Sequence, residues 1–290
     1  MRAFLIVLLI PLLAGCTPLT AFNALIPKDA GGRQVADDEP YGQDRRQRLD
    51  IYAPVAAASG PRPMIVFFYG GSWKSGSKEG YGFVGRALAA QGFVVAIPDY
   101  RLVPDVRFPA FVEDSAAAVQ WVQRHVARYG GDPDRIVLVG HSAGAYNAAM
   151  LAVDPRWLGP DRAAVKGWAA LAGPYDFLPL DTEVTRAAFS AAGDLEATQP
   201  ILLASADDPP GLLLAGGRDE LVLPSQSTGM AIAMTEAGAA AQSRIYPDVG
   251  HVGIVAALAK PFRGDAPVLR DVAAFARHVT QGGTDASAGQ

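Results

Sequence analysis

The chain has 290 residues, of which 50% are hydrophobic and 19% charged, and its formal net charge is −4. That length and apolar content support one large α/β domain with a sizeable core. The acidic balance, with no basic run to meet phosphates, excludes nucleic acid as a partner.

At the N-terminus Arg2 precedes an apolar stretch over residues 3–14 that is too short to cross a bilayer as a helix. A basic residue, a short apolar core and then small residues make a secretory signal peptide over residues 1–15. Leu13-Ala14-Gly15-Cys16 resembles the lipobox of bacterial lipoproteins, whose cysteine is acylated and becomes the new first residue. Cys16 is the only cysteine, so its lipidation would leave a mature chain with no thiol and no disulfide. The resemblance implies export and a lipid anchor on a bacterial cell membrane. Thr17 rather than Asp after the cysteine leans toward the periplasmic side of an outer membrane. Residues 16–40, rich in Pro, Gly and Ala and carrying Asp37-Asp38-Glu39, are expected to be a tether between lipid and domain. The small, polar residues 281–290 are expected to be a flexible tail.

The remaining residues 41–280 alternate between two patterns. Leu49 to Pro54 predicts an early antiparallel edge strand. Continuous apolar runs follow at Met64 to Tyr69, Phe93 to Ile97, Ile136 to Val139, Trp168 to Leu171 and Leu212 to Ala215, with a further strand at Ser243 to Tyr246. Runs without period-two alternation predict strands covered on both faces, as in a parallel sheet. Helices are predicted near 80–91, 109–129, 143–153, 225–238 and 266–280. In the second, Val112, Ala116, Val119, Val122 and Val126 recur at helical spacing, and Gly130-Gly131-Asp132-Pro133 stops it. Such alternation gives a doubly wound, mostly parallel sheet flanked by helices. No His/Cys cluster has metal-ligand spacing, so no metal site is expected.

Gly140-His141-Ser142-Ala143-Gly144 lies between the run Ile136 to Val139 and a helix-compatible stretch. This G-x-S-x-G pattern in a strand–turn–helix setting makes Ser142 a candidate nucleophile, lifted clear of the sheet by a strained turn. Such a serine needs a base and an acid at the carboxyl ends of later strands. The chain has four histidines. His125 and His278 fall in helices, and His141 sits beside Ser142 with its side chain expected to point away. His251, in a loop after the last strand, is the candidate base. For the acid, Asp219 follows the strand at 212–215, with Asp176 and Asp248 as rivals and Asp176 expected to bind backbone amides in its turn. Tyr69-Gly70-Gly71-Ser72-Trp73 follows the first buried run. There the backbone N–H groups of Gly70 and Gly71, with that of Ala143, form a candidate oxyanion hole.

These segments, with Pro98-Asp99-Tyr100-Arg101-Leu102 and the run Gly130 to Arg135, resemble the carboxylesterase branch of the α/β-hydrolases, close to its hormone-sensitive-lipase-like and feruloyl-esterase-like groups. The likeness covers residues 41–280 and departs at Tyr69, where the family loop usually begins with His. It implies an α/β-hydrolase fold, the chain order Ser142, Asp219, His251 for the triad, and cleavage of carboxylic esters through an acyl-enzyme without a cofactor. Residues 175–210 leave the regular alternation and are expected to form a small cap bounding the acyl pocket, which favours short-acyl esters. An amidase or peptidase would use the same triad, and a non-catalytic binding lipoprotein is the rival of a different class.

Overall fold

The computed structural model describes residues 18–281. Residues 1–17, which include the expected signal peptide and Cys16, and residues 282–290 lie outside the described residues. A single eight-stranded sheet runs in the order β1-β2-β4-β3-β5-β6-β7-β8. Its strands are β1 (Gly32–Pro40), β2 (Arg48–Pro54), β3 (Arg62–Phe68), β4 (Val94–Pro98), β5 (Gly131–His141), β6 (Val165–Leu171), β7 (Gly211–Gly216) and β8 (Ala241–Tyr246). The β1–β2 and β2–β4 pairs are antiparallel, and every later pair is parallel. Met64 to Phe68, all of β4 and all of β7 are buried. Burial on both faces is what the unalternated apolar runs required.

The helices are α1 (Pro18–Leu25), α2 (Gly82–Ala90), α3 (Ala110–His125), α4 (Ala143–Val153), α5 (Glu183–Phe189), α6 (Pro224–Glu236), α7 (His251–Ala256) and α8 (Val268–Thr280). The five helices read from the sequence are α2, α3, α4, α6 and α8. In α8 Val268, Leu269, Val272, Ala273 and Ala276 face the core at helical spacing, while Arg270 and Arg277 point outward.

The tether expected over residues 16–40 is corrected from residue 18 onward. Residues 18–25 are helical, and β1 pairs with β2, so β1 rather than β2 is the edge of the sheet. The edge is polar and interrupted: two register shifts break the ladder, and Asp38 sits at φ 58°. Charges and bulges of this kind keep an edge strand from pairing with another chain. One buried lysine secures it, since Lys78 Nζ lies 3.3 Å from Asp38 and 3.0 Å from Asp50 of β2.

Helix α1 is packed against the domain. The Phe22 ring meets Phe83 edge-on at 5.4 Å and stacks on Phe262 at 6.0 Å. Asn23 donates to Glu79 O at 2.7 Å and accepts from Phe83 N–H at 2.9 Å. Just after the helix, Arg263 grips Asp29 with two bonds of 2.9 and 2.5 Å.

A chain beginning at Tyr41 loses all of this, whereas removal of a tether would cost nothing. It is expected to melt at least about 5 °C lower than the full chain, the effect of roughly 2 kcal/mol in a domain of this size. Thermal unfolding followed by circular dichroism measures it, and equal melting temperatures would restore the tether.

Candidate active site

The turn from β5 into α4 holds Ser142 at φ 54°, ψ −122°. A non-glycine residue there stores about 1–3 kcal/mol that the surroundings must offset. The flanking glycines permit the turn. A Cβ at Gly140 would lie 2.2 Å from Gly144 O, and one at Gly144 would lie 2.1 Å from Phe68 O. The Ser142 N–H donates to Leu171 O at 2.9 Å, which fixes the elbow to β6.

The loops after β7 and β8 are strapped together. Gly217 N–H donates to Tyr246 O at 2.7 Å, and Arg218 N–H to Val249 O at 3.0 Å. A Cβ on Gly216 would come within 2.3 Å of Val249 O, so glycine is needed for this approach. Asp219 and His251 are thereby brought face to face. His251 Nδ1 lies 2.8 Å from Asp219 Oδ2, and its Nε2 lies 2.9 Å from Ser142 Oγ. The other Asp219 oxygen accepts from Leu221 N–H at 2.9 Å and Val222 N–H at 2.8 Å. With its carboxylate facing Nδ1, that nitrogen carries the proton and Nε2 accepts from the serine hydroxyl. His251 is the first residue of the short helix α7, not a loop residue.

The rival acids are elsewhere. Asp176 is exposed, and its backbone, not its side chain, is held by Gln226. Asp248 is exposed and paired with Arg218 at 2.7 Å. His125 stacks on Trp121 at 4.5 Å, and His278 is on α8.

His141 does not point away. Its Nε2 lies 2.9 Å from His251 O, so the ring donates to the backbone of the base and holds it in register. Burial, and then the nearby His251, push the His141 pKa down to about 3, which keeps it neutral. The stabilisation linked to that neutral form is complete above about pH 6.5 and is lost as pH falls toward about 3.

The loop after β3 places Gly70 against the nucleophile, where an added Cβ would sit 2.9 Å from Ser142 Cβ. Gly71 (φ 136°), Ser72 (φ 57°) and Trp73 (φ 56°) turn the loop over the site. Ala143 N–H is the first amide of α4 and has no intrahelical acceptor. Gly70 N–H meets the Tyr81 hydroxyl. That leaves Gly71 and Ala143 as the freer pair of the expected trio, and Ser72 lines the cavity beside them.

Tyr69 explains how a loop without the usual histidine is braced. Its ring is stacked between Tyr100 at 4.9 Å and Tyr81 at 5.4 Å. Its hydroxyl donates to Asp99 at 2.6 Å and accepts from Arg46 at 2.8 Å. Arg46 also donates to Gly76 O at 2.8 Å, and Asp99 accepts from Lys78 N–H at 2.8 Å, so one buried network grips both ends of the loop. Burial pushes the Asp99 carboxyl up to about 6, against the opposing pull of Tyr69 and Arg46.

Ser142 and His251 open into a cavity of about 600 Å³. Its walls are Leu19 and Phe22 of α1, Tyr81 and Phe83, and Val252 and Val255 of α7. None of the residues expected to form a cap over 175–210 touches it, which corrects that reading. Phe177 and Phe189 instead pack into an aromatic cluster with Trp73 and Tyr146. Among the described residues no group of His, Cys, Asp and Glu could hold a metal ion.

The BD-FAE family model matches residues 49–234. The chain is 32% identical over 229 residues to the esterase LipQ of Mycobacterium tuberculosis, which covers 71% of this chain and 54% of that protein. It is 41% identical over 114 residues to the probable isoprenylcysteine alpha-carbonyl methylesterase ICMEL1 of Arabidopsis thaliana, covering 39% of this chain and 24% of that protein. The chain thus spans between about a quarter and about half of these relatives' length. Among solved structures, esterase B of Lactobacillus rhamnosis superposes with a TM-score of 0.78 at 21% identity, covering 91% of this chain and 92% of that one. The match places this chain in the α/β-hydrolase fold.

The Asp219→Asn variant is expected to keep the fold and lose about 10²–10⁴ in kcat, because the tautomer of His251 is no longer enforced. Asp176→Asn should leave kcat unchanged. Kinetics on variants of equal melting temperature test both, and a larger loss at Asp176 would overturn the choice of acid.

Proposed function

The chain belongs to the BD-FAE family, and from that premise we propose that it is a serine hydrolase of carboxylic esters. One observation carries the reading: two hydrogen bonds of 2.8 and 2.9 Å link Asp219, His251 and Ser142 at the floor of an apolar cavity. Ser142 Oγ attacks the ester carbonyl as His251 Nε2 takes its proton, and buried Asp219 stabilises the resulting imidazolium. The carbonyl oxygen, now anionic, is met by the N–H groups of Gly71 and Ala143, the freer pair of the expected trio; losing one such donor costs about 10²–10³ in kcat. The tetrahedral adduct then collapses: its bond to the alkoxide breaks, His251 gives that oxygen its proton so that it leaves as the alcohol, and Ser142 Oγ keeps the acyl group. Water, deprotonated by His251, then releases the acid. The apolar walls favour an apolar acyl group.

Two experiments test this reading. A fluorophosphonate probe is expected to label Ser142 alone, and Ser142→Ala is expected to abolish p-nitrophenyl ester hydrolysis. A label mapped elsewhere would sink the triad. Within the range the cavity accepts, each added acyl methylene should raise kcat/KM by about fourfold, from about 0.8 kcal/mol per buried CH₂.

The proposal includes export and lipid anchoring through Cys16, supported by the short apolar core and the lipobox-like Leu13-Ala14-Gly15-Cys16. Several acyl chains hold a protein firmly where one holds it reversibly. Wild-type protein should partition into detergent, and Cys16→Ala should abolish acylation. A free Cys16 thiol on aqueous-phase protein would refute the anchor and leave the hydrolase reading untouched.

A further inference from the structure

We propose that the mouth of the active-site cavity faces a lipid bilayer, and that its substrates are apolar-chain esters dissolved in that bilayer. The inference rests on the serine-esterase reading and on the Cys16 anchor proposed with it, and extends them to the substrate's source. Three observations converge on one face of the molecule.

The first is the composition of the cavity wall. Among the described residues no Asp, Glu, Lys or Arg lines it, so nothing among them selects a charged, water-borne ester. The second is the rim. Leu221 and Val252 line the cavity, yet they are 71% and 66% exposed to solvent. Phe262, 37% exposed, stacks on the cavity residue Phe22, and Leu25, one helical turn beyond Phe22, is 86% exposed. Large apolar side chains left in water around a single opening mark a surface that meets an apolar partner.

The third is where the chain leaves the fold. Helix α1 (Pro18–Leu25) carries no charged residue and supplies Leu19 and Phe22 to the wall. Before it come the apolar stretch of residues 3–14 and Cys16. Two residues reach at most about 7 Å, so any acyl group on Cys16 enters the membrane beside this wall. An aqueous partner would leave both the rim and the anchor unexplained, while a bilayer covers both at once. In this arrangement α1 lies at the membrane surface, and an ester moves from the lipid phase along Leu19 and Phe22 to Ser142.

The test uses full-length lipidated protein in phosphatidylcholine vesicles. With Cys16 acylated, Leu25→Cys provides a single thiol for an environment-sensitive fluorophore. Gln242→Cys, an exposed position at the opposite end of the sheet strands, is the control. Spin-labelled lipid is expected to quench the label at 25 strongly and the label at 242 weakly; equal quenching overturns the proposal. Activity gives the second reading. Leu25→Glu, at a site too exposed to affect folding, should leave hydrolysis of water-soluble p-nitrophenyl acetate unchanged. Hydrolysis of vesicle-embedded 4-methylumbelliferyl palmitate should fall about tenfold as the rim loses its apolar contact. An unchanged ratio of the two rates overturns the proposal. If wild-type protein cleaves neither ester, the esterase reading fails, and the quenching still decides the bilayer face.

Discussion

Between β5 and α4 the backbone reverses in so little space that neither residue 140 nor residue 144 can carry a Cβ. Everything catalytic is arranged around that reversal. The Gly144 backbone rests on the end of β3, so the loop leaving β3 is drawn over the nucleophile. The β6 end accepts the Ser142 N–H, which sets the nucleophile's height above the sheet. The loops after β7 and β8 then have to bring an acid and a base to a serine that cannot move. They do so through main-chain bonds to each other, and the His251 carbonyl is held in addition by His141.

Around this fixed point the polar interior serves positioning. Tyr69, Asp99 and Arg46 form a closed chain in which each polar atom is shared between two elements. Burying these groups is costly unless every partner is present. A histidine in place of Tyr69 would be shorter and could not span to Asp99 in the same way. The tyrosine therefore belongs with Arg46 and Asp99 as one unit, which replaces the family's bracing without altering the backbone donors.

The parts that were legible in the sequence are those whose chemistry repeats at short range. The central strands announced themselves because both faces are buried, which forces unbroken apolar runs. Ser142 was legible because the glycines at 140 and 144 are sterically required, and Asp219 and His251 because strand ends in such a sheet converge. The N-terminal region was misread for an equally physical reason. An edge strand facing water is selected for charge and irregularity, so Asp37-Asp38-Glu39 looked like a linker while lying in a ladder. The eight residues of α1 are too few to display a period, and their packing partners are distant in sequence. The cap was expected from a break in alternation between β6 and β7; the break is real, but its aromatic residues face Trp73 and Tyr146 instead of the cavity. His141 was set aside on the assumption that a residue next to the nucleophile faces away, whereas the tight elbow turns its ring toward the backbone of the base.

The ion pair between Asp29 and Arg263 joins positions 234 residues apart, next to the stack of Phe22 on Phe262. Two segments far apart in the sequence thus meet beside the cavity. The elbow and the loop above it come from the middle of the sequence, whereas the cavity wall that includes Leu19 and Phe22 is completed only when these two distant segments meet. Ring closure of that length is entropically unfavourable and is compensated only by contacts made late. The wall is therefore expected to depend on contacts made late in folding, unlike the elbow and the loop above it.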